Sequence, residues 1–158
     1  MNSEPTAWIL VGAPGSGKST WGMELAKMDA NVVRLCPDEF RAKFGWGEGD
    51  QSVSAQAFAA TRQGMRDALA AGKSVVIDAT NMYRAARKDF IKIAKEIGVP
   101  TVAVVFEADK ETLLRRNKKR GLEGGRDVPE SVIDKMLSRY ERPNELEFDR
   151  VDFVNKLI

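Results

Sequence analysis

The sequence predicts an α/β protein with a central parallel sheet flanked by helices. Short runs rich in Val, Ile and Leu alternate along the chain with longer stretches of helical composition. Strands that alternate with helices are typical of a parallel sheet with helices on both faces. The first apolar run also passes directly into glycines, as a buried parallel strand does where it meets a turn.

The predicted strands are short and rich in β-branched residues. They occupy residues 7–11, 31–35, 74–78 and 101–106, with an edge strand at 151–154. The predicted helices occupy residues 18–28, 37–44, 53–71, 85–97, 110–119 and 129–140. Gly72 and Gly98 each follow a predicted helix and Pro37 opens one, which are the positions that these residues favour. Two glycine-rich connections, 45–50 and 121–127, are predicted to be mobile.

Length and composition limit the chemistry. A chain of 158 residues, 43% of them hydrophobic, predicts one domain spanning 1–158 with one active site. The 25 basic and 23 acidic residues give a net charge of only +2, so a nucleic-acid partner must be met by a local basic patch. The absence of histidine and the single cysteine exclude a Ser-His-Asp triad, a histidine zinc site and an internal disulfide. General acid-base catalysis therefore falls mainly to Asp or Glu.

No apolar run approaches the ~20 residues that a membrane-spanning helix needs. We therefore expect a cytoplasmic protein without a membrane partner. No segment of the sequence indicates an obligate protein partner.

A phosphate-binding loop lies between the first predicted strand and the first predicted helix. Gly12, Gly17, Lys18 and Ser19 match the pattern G-x-x-x-x-G-K-[ST] in the context that the motif requires. Glycines let the backbone amides turn toward phosphates, the lysine reaches the β/γ oxygens and Ser19 offers a hydroxyl to Mg²⁺. The predicted ATP-binding residues of the loop are Gly12, Ala13, Pro14, Gly15, Ser16, Gly17, Lys18, Ser19 and Thr20. We expect ATP with Mg²⁺, because the guanine-reading pattern Asn-Lys-x-Asp is absent.

A carboxylate and a guanidinium follow the second predicted strand. Asp38 and Arg41 lie three residues apart on one predicted helix and therefore share a face at the carboxyl edge of the sheet. The carboxylate can accept the proton of an attacking hydroxyl, and the guanidinium can bind a phosphate of the acceptor. An aspartate stabilised by the helix dipole beside an exposed arginine explains the same residue types equally well.

Polar residues also follow the third predicted strand. Asp78 is placed to organise Arg41 or the magnesium shell, and Thr80 with Asn81 to hold the acceptor; turn capping by Asp78 and Thr80 is the alternative. Arg84 and Arg87 are interpreted as a solvated helix face rather than as substrate contacts.

A basic helix end precedes the second glycine-rich connection. Residues 115–120 contain five cations, of which Lys118 and Lys119 are interpreted as solvated. Arg116 and Arg120 lie four residues apart on one face, beside the predicted mobile segment. A C-terminal helical lid at about 115–140 would bring an arginine to the transferring phosphoryl group.

Four motifs together resemble the phage-type polynucleotide 5′-hydroxyl kinases. The motifs are GAPGSGKSTW at 12–21, PDEFR at 37–41, DATN at 78–81 and RNKKRG at 116–121. The resemblance implies a P-loop phosphotransferase fold and transfer of the ATP γ-phosphate to the 5′-hydroxyl of DNA or RNA, as in end repair. It further implies that Asp38 is the general base, Arg41 contacts the acceptor phosphate, and Arg116 and Arg120 contact the nucleotide from the lid.

Three other functions remain open from the sequence. The acceptor can be a small-molecule hydroxyl or a modified base in DNA. The chain can also be a nucleotide-dependent binding module without transferase activity, or a toxin-like kinase of cell-wall precursors. In the leading interpretation, Lys18 and Arg120 stabilise charge, Asp38 acts as the base and Arg41 clamps the acceptor.

Overall fold

The centre of the fold is a five-stranded sheet in which every pairing is parallel, with the order β2-β3-β1-β4-β5. The structure is a computed structural model that describes residues 4–47, 51–125 and 127–154. The strands are β1 (Ala7–Val11), β2 (Val32–Leu35), β3 (Ser74–Ile77), β4 (Thr101–Val105) and β5 (Arg150–Phe153). The parallel α/β fold predicted from the sequence is confirmed, and β5 is the predicted edge strand.

Helices cover both faces of this sheet. They are α1 (Lys18–Met28), α2 (Pro37–Phe44), α3 (Ser54–Ala70), α4 (Arg84–Ile97), α5 (Lys110–Leu122) and α6 (Glu130–Arg139), and a 3₁₀ turn (Gln51–Val53) precedes α3. Ile9 and Val11 of β1 pack in one core cluster with α3 and α4, whereas Leu10 packs in a second cluster with Trp21 of α1. This alternation follows the two-residue period of a strand.

The carboxyl ends of the strands meet at one edge of the sheet, because all strands run in the same direction. The chain leaves β1 at Gly12, β2 at Cys36 and β3 at Asp78. Two backbone bonds join these exits: the Gly12 amide donates to the Thr80 carbonyl, and the Asp78 amide donates to the Leu35 carbonyl, each at 2.9 Å. The three predicted site segments are therefore neighbours.

Helix α5 extends further than the sequence analysis predicted. It continues through Gly121 to Leu122, so the predicted connection 121–127 begins inside the helix. The helix ends with Gly124 in a left-handed conformation (φ 89°), and the Gly125 amide donates to the Arg120 carbonyl at 2.9 Å. This pattern is a Schellman cap, which satisfies carbonyls at the end of a helix. Arg126 of this connection, and residues 48–50 of the earlier one, lie outside the described residues.

The interpretation of Arg87 as a solvated residue is wrong. Arg84 is exposed, but Arg87 is fully buried and donates from Nε and Nη2 to the Glu147 carboxylate, with both distances 2.8 Å. Its Nη1 also donates to the Asn81 carbonyl at 2.8 Å. Since Asn81 has a positive φ of 47°, this bond helps to hold an unfavourable turn just after β3.

Replacing Glu147 with alanine should destabilise the fold. The change leaves the fully buried Arg87 guanidinium without its carboxylate, and breaking such a pair costs about 3–5 kcal/mol. Chemical denaturation measures the free energy of unfolding, with Glu145→Ala at a nearby exposed position as the control. A loss no larger than that of the control would show that this ion pair does not stabilise the fold.

Among the described residues, no helix is both long enough and apolar enough to cross a membrane.

Candidate active site

The phosphate-binding loop follows β1 and is shaped by glycines. Gly15 and Gly17 have positive φ angles of 87° and 96°, a region that side chains disfavour. A Cβ atom on Gly12 would lie 2.5 Å from Ser16 Oγ, and one on Gly15 would lie 2.8 Å from the Leu113 carbonyl oxygen. The loop therefore packs tightly against α5 and leads into the N-terminus of α1, where anions are stabilised.

Replacing Gly15 with alanine should weaken nucleotide binding by about tenfold or more. The new methyl group adds backbone strain at a positive φ and collides with the Leu113 carbonyl of α5. Gly72→Ala is the matched control, because Gly72 has a φ of 80° but has open space around its Cβ position. Calorimetric titration with a non-hydrolysable ATP analogue measures the affinity; equal affinities in the two variants would contradict the predicted role of the loop.

Lys18 and Ser19 begin helix α1. Lys18 is only 7% exposed, and burial lowers the pKa of its ammonium group, although the carboxylates of Asp78 and Asp38 oppose this shift. Ser19 donates from its hydroxyl to Asp78 Oδ1 at 3.2 Å. The lysine charge is thus held between carboxylates in a site with little solvent, where its interaction with phosphate is strengthened.

Asp78 is held by Arg34, a residue that the sequence motifs did not indicate. Arg34 Nη2 lies 2.6 Å from Asp78 Oδ2, and its Nε donates to the same oxygen at 2.8 Å. Arg34 also pairs with Glu39. Of the two predicted roles for Asp78, the structure gives it Arg34 rather than Arg41 as its ion-pair partner, and directs Oδ1 at Ser19. The sequence signal that could have indicated Arg34 is its position as a charged residue inside a short predicted strand.

The donor set fits Mg²⁺. The Ser19 hydroxyl and the Asp78 carboxylate lie side by side, and both residues line the first of the two cavities described below. Mg²⁺ takes few protein ligands and fills its octahedron with phosphate oxygens and water. In the part of the chain that the structure describes, no group of three or more His, Cys, Asp or Glu residues is arranged as a metal site. This absence is compatible with a metal held largely by a triphosphate.

Asp38 and Arg41 form an ion pair on α2, as their spacing predicts. Arg41 is 6% exposed; its Nη2 donates to Ser54 Oγ at 3.3 Å, and its guanidinium carbon lies 5.5 Å from the centre of the Phe58 ring. The buried Arg41 Nε has no hydrogen-bond partner. A buried N–H group that lacks a partner is costly, and the Arg41 side chain also lines the first of the two cavities described below.

The two remaining acceptor candidates differ in position. Thr80 lines the cavity beside Asp38. Asn81 does not line it: its side chain is buried and donates from Nδ2 to the Leu10 carbonyl at 2.9 Å. Asn81 therefore holds the turn after β3. Its side chain does not face the cavity in which an acceptor contact was predicted.

Two adjacent cavities meet at three side chains. The first cavity has a volume of about 710 Å³ and contains Asp38 and Arg41. The second has a volume of about 510 Å³ and is lined by the phosphate-loop residues Gly15 and Gly17. Both cavities share the side chains of Lys18, Ser19 and Arg120. A group bound in either cavity would therefore lie beside the same two cationic residues and the same serine.

Arg116 and Arg120 lie on the same face of α5 and line the second cavity. Arg116 Nη1 donates to the Gly15 carbonyl at 3.3 Å, and Arg120 Nη2 donates to Asn117 Oδ1 at 3.3 Å. Lys118 and Lys119 are exposed, in agreement with their interpretation as solvated cations.

Cys36 also lines the first cavity, but burial raises the pKa of its thiol to about 11, so it is not a thiolate near neutral pH.

This phosphate loop, on a parallel sheet with the strand order given above, defines a P-loop kinase fold. The chain belongs to the family described as AAA domain, whose profile matches residues 8–143.

Relatives of this chain include two kinases. The L-seryl-tRNA(Sec) kinase of Methanococcus maripaludis is 30% identical over 140 residues, covering 85% of this chain and 52% of that protein. The bifunctional polynucleotide phosphatase/kinase of Schizosaccharomyces pombe is 29% identical over 136 residues, covering 85% of this chain and 29% of that protein. The chain therefore spans about half or less of the length of these relatives.

A solved structure resembles the fold closely. A chain in the Pnkp1/Rnl/Hen1 RNA repair complex superimposes with a TM-score of 0.76 at 30% identity, covering 88% of this chain and 45% of that chain. The resemblance to a polynucleotide kinase domain that the sequence motifs indicated is thus confirmed at the level of family and fold.

Proposed function

We propose that this chain transfers the γ-phosphoryl group of ATP to the 5′-hydroxyl end of DNA or RNA. The observation that carries the proposal is the meeting of two cavities at Lys18, Ser19 and Arg120. The second cavity carries the phosphate loop and takes ATP. The first carries the Asp38–Arg41 pair and takes the acceptor.

In this reaction the acceptor hydroxyl oxygen forms a bond to the γ-phosphorus. The bond from that phosphorus to the β–γ bridging oxygen breaks, ADP leaves, and Asp38 takes the hydroxyl proton. Lys18 and Arg120 stabilise the charge on the transferring group from the shared wall. Mg²⁺ supplies further charge neutralisation when it is bound by Ser19 and Asp78 with the nucleotide phosphates.

Arg41 supports an acceptor that carries its own phosphate. Its side chain lines the first cavity, and a guanidinium matches phosphate oxygens in a forked geometry. A nucleotide at the 5′ end of a polynucleotide carries a phosphate on its 3′ side, close to the reacting hydroxyl. Thr80 is proposed to contact the same terminal nucleotide.

The relatives agree with a nucleic-acid-linked acceptor. One is named as a polynucleotide phosphatase/kinase, and one structure is of an RNA repair complex. The L-seryl-tRNA(Sec) kinase favours a second candidate, in which the phosphorylated hydroxyl belongs to a group carried on an RNA and is not the 5′ end of that RNA.

We further propose that residues 115–140 act as a lid, since α5 carries Arg116 and Arg120 at the second cavity.

A labelled-phosphate assay separates these acceptors. The protein is incubated with ATP labelled at the γ-phosphate and Mg²⁺, together with 5′-hydroxyl DNA, 5′-hydroxyl RNA, nucleosides, or serine-charged tRNA. The same DNA and RNA with 5′-phosphate ends are the matched controls. We expect label only on the 5′-hydroxyl oligonucleotides; label confined to nucleosides or to charged tRNA would overturn the proposal.

A further inference from the structure

One buried polar side chain on α5 has no role in the reaction described above. Asn117 is 4% exposed and lies between the two arginines of the helix. Its Nδ2 donates to the Val128 carbonyl at 2.6 Å, and the Val128 amide donates to its Oδ1 at 3.0 Å. The side-chain amide therefore forms two hydrogen bonds with the backbone of Val128, one as donor and one as acceptor. Nδ2 also donates to Asp127 Oδ1 at 3.2 Å.

The same Asn117 oxygen accepts a hydrogen bond from Arg120. The distance from Arg120 Nη2 to Asn117 Oδ1 is 3.3 Å. Arg120 lines both cavities, whereas Asp127 and Val128 line only the first. One side chain thus connects the proposed phosphate-stabilising arginine with the wall of the acceptor cavity.

Two glycines allow this close packing. A Cβ atom on Gly121 would lie 2.7 Å from Asp127 Cβ, and one on Gly125 would lie 2.7 Å from Arg120 Cγ. Real Cβ atoms do not approach so closely, so any larger residue would force Asp127 or Arg120 to move. The glycines at the C-terminal end of α5 therefore let the chain fold back against the helix at Asp127 and at Arg120, the two residues that Asn117 contacts.

We propose that Asn117 is a positioning residue that holds Arg120 and the Asp127–Val128 wall as one unit. This inference rests on the proposed function, because it assigns Arg120 to the transferring phosphate and Val128 to the acceptor side. A misplacement of about 1 Å can cost about 100-fold in rate. Asn117 therefore affects both the rate of transfer and the binding of the acceptor without touching either substrate.

Kinetics distinguish positioning from a purely structural role. For Asn117→Ala we expect kcat to fall by about 10- to 100-fold and the KM for the 5′-hydroxyl oligonucleotide to rise about tenfold. The dissociation constant of an ATP analogue should change less than about twofold, because the phosphate loop and the contact from Arg116 to Gly15 remain. Asn31→Ala, at an exposed position at the opposite edge of the sheet, is the control.

A second substitution separates the two halves of the role. Asn117→Asp keeps an oxygen for the Val128 amide and for Arg120 but removes the Nδ2 donor, and places a second carboxylate against Asp127. We expect it to raise the acceptor KM more than it lowers kcat. If Asn117→Ala does not fold, Gly121→Ala replaces it, because its new methyl group displaces Asp127 and should raise the acceptor KM in the same way.

Hydrogen exchange keeps this test independent of the proposed function. The Val128 amide should exchange faster in Asn117→Ala than in the unchanged protein, while amides of β1 and β4 keep their protection. A protein that phosphorylates no 5′-hydroxyl end refutes the proposed function, and the exchange result then still tests the contact. Unchanged exchange at Val128 would overturn the inference. So would unchanged kcat and acceptor KM in an active, folded Asn117→Ala protein.

Discussion

Replacing Arg120 with alanine is expected to lower kcat by about three to five orders of magnitude. Arg120 lines both cavities, so in the proposed reaction it borders the point where the phosphoryl group would pass from donor to acceptor. An arginine in that position offsets the charge that spreads over the equatorial oxygens in the transition state, and its loss has an effect of this size. Binding of ATP in the ground state should weaken much less, because the phosphate loop remains.

The matched control is Lys119→Ala. Lys119 is the adjacent cation on α5, but it is exposed and lines neither cavity. Both variants remove one positive charge from the same helix, so a general electrostatic effect would appear in both. Rapid-quench measurement of label transfer gives kcat for each. A loss below about tenfold in Arg120→Ala would remove this residue from the transfer step.

Replacing Asp38 with asparagine is expected to lower kcat by about 10²- to 10⁴-fold. The amide cannot take a proton from the acceptor hydroxyl at neutral pH, yet it keeps the size of the carboxylate and can still accept a hydrogen bond from Arg41. The substitution therefore removes the proposed proton acceptor while leaving most of the cavity intact. ATP affinity should stay within about threefold, because the phosphate loop and Arg116 are unchanged.

Asp89→Asn serves as the control for Asp38. Asp89 is exposed on α4, so it carries the same chemical change away from both cavities. Single-turnover transfer with saturating ATP and oligonucleotide isolates the chemical step. Turnover of Asp38→Asn at the level of Asp89→Asn would show that another group accepts the proton.

Local sequence signals predicted much of the fold. The bounds of β1, α1 and α2 agree with those predicted, because each has a strong signal at its ends. The apolar run of β1 is followed directly by a glycine, and Pro37 occupies the first turn of α2. The phosphate loop and the shared face of Asp38 and Arg41 also depend on short-range spacing, and could be predicted for that reason.

Contacts between distant residues could not be predicted from local patterns. Arg34 and Asp78 are 44 positions apart and become neighbours only because β2 pairs with β3. Arg87 was interpreted as solvated because a helical arginine is usually exposed, and Glu147, its partner, lies 60 positions away. Knowledge of the strand order would have been needed to expect the first pair, and knowledge of how the segment before β5 packs against α4 to expect the second.

The burial of Asn117 is a further feature that local sequence patterns do not predict. In the sequence it stands within a run of cations, which indicates a solvated face. Its burial follows from the glycines at the C-terminal end of α5, which let Asp127 and Val128 return to the helix. The glycines were interpreted as a sign of mobility, whereas Gly121 lies in the helix and Gly124 ends it with a Schellman cap.

The most direct test of the account is a crystal structure of the protein with ADP, Mg²⁺ and a short 5′-hydroxyl oligonucleotide. We predict ADP in the second cavity and the terminal nucleotide in the first, with the 5′-oxygen roughly 2.6–3.2 Å from an Asp38 carboxylate oxygen. The 5′-oxygen should face the β-phosphate across the wall formed by Lys18, Ser19 and Arg120. A 5′ end bound outside the first cavity, or a 5′-oxygen that does not contact Asp38, would contradict the account.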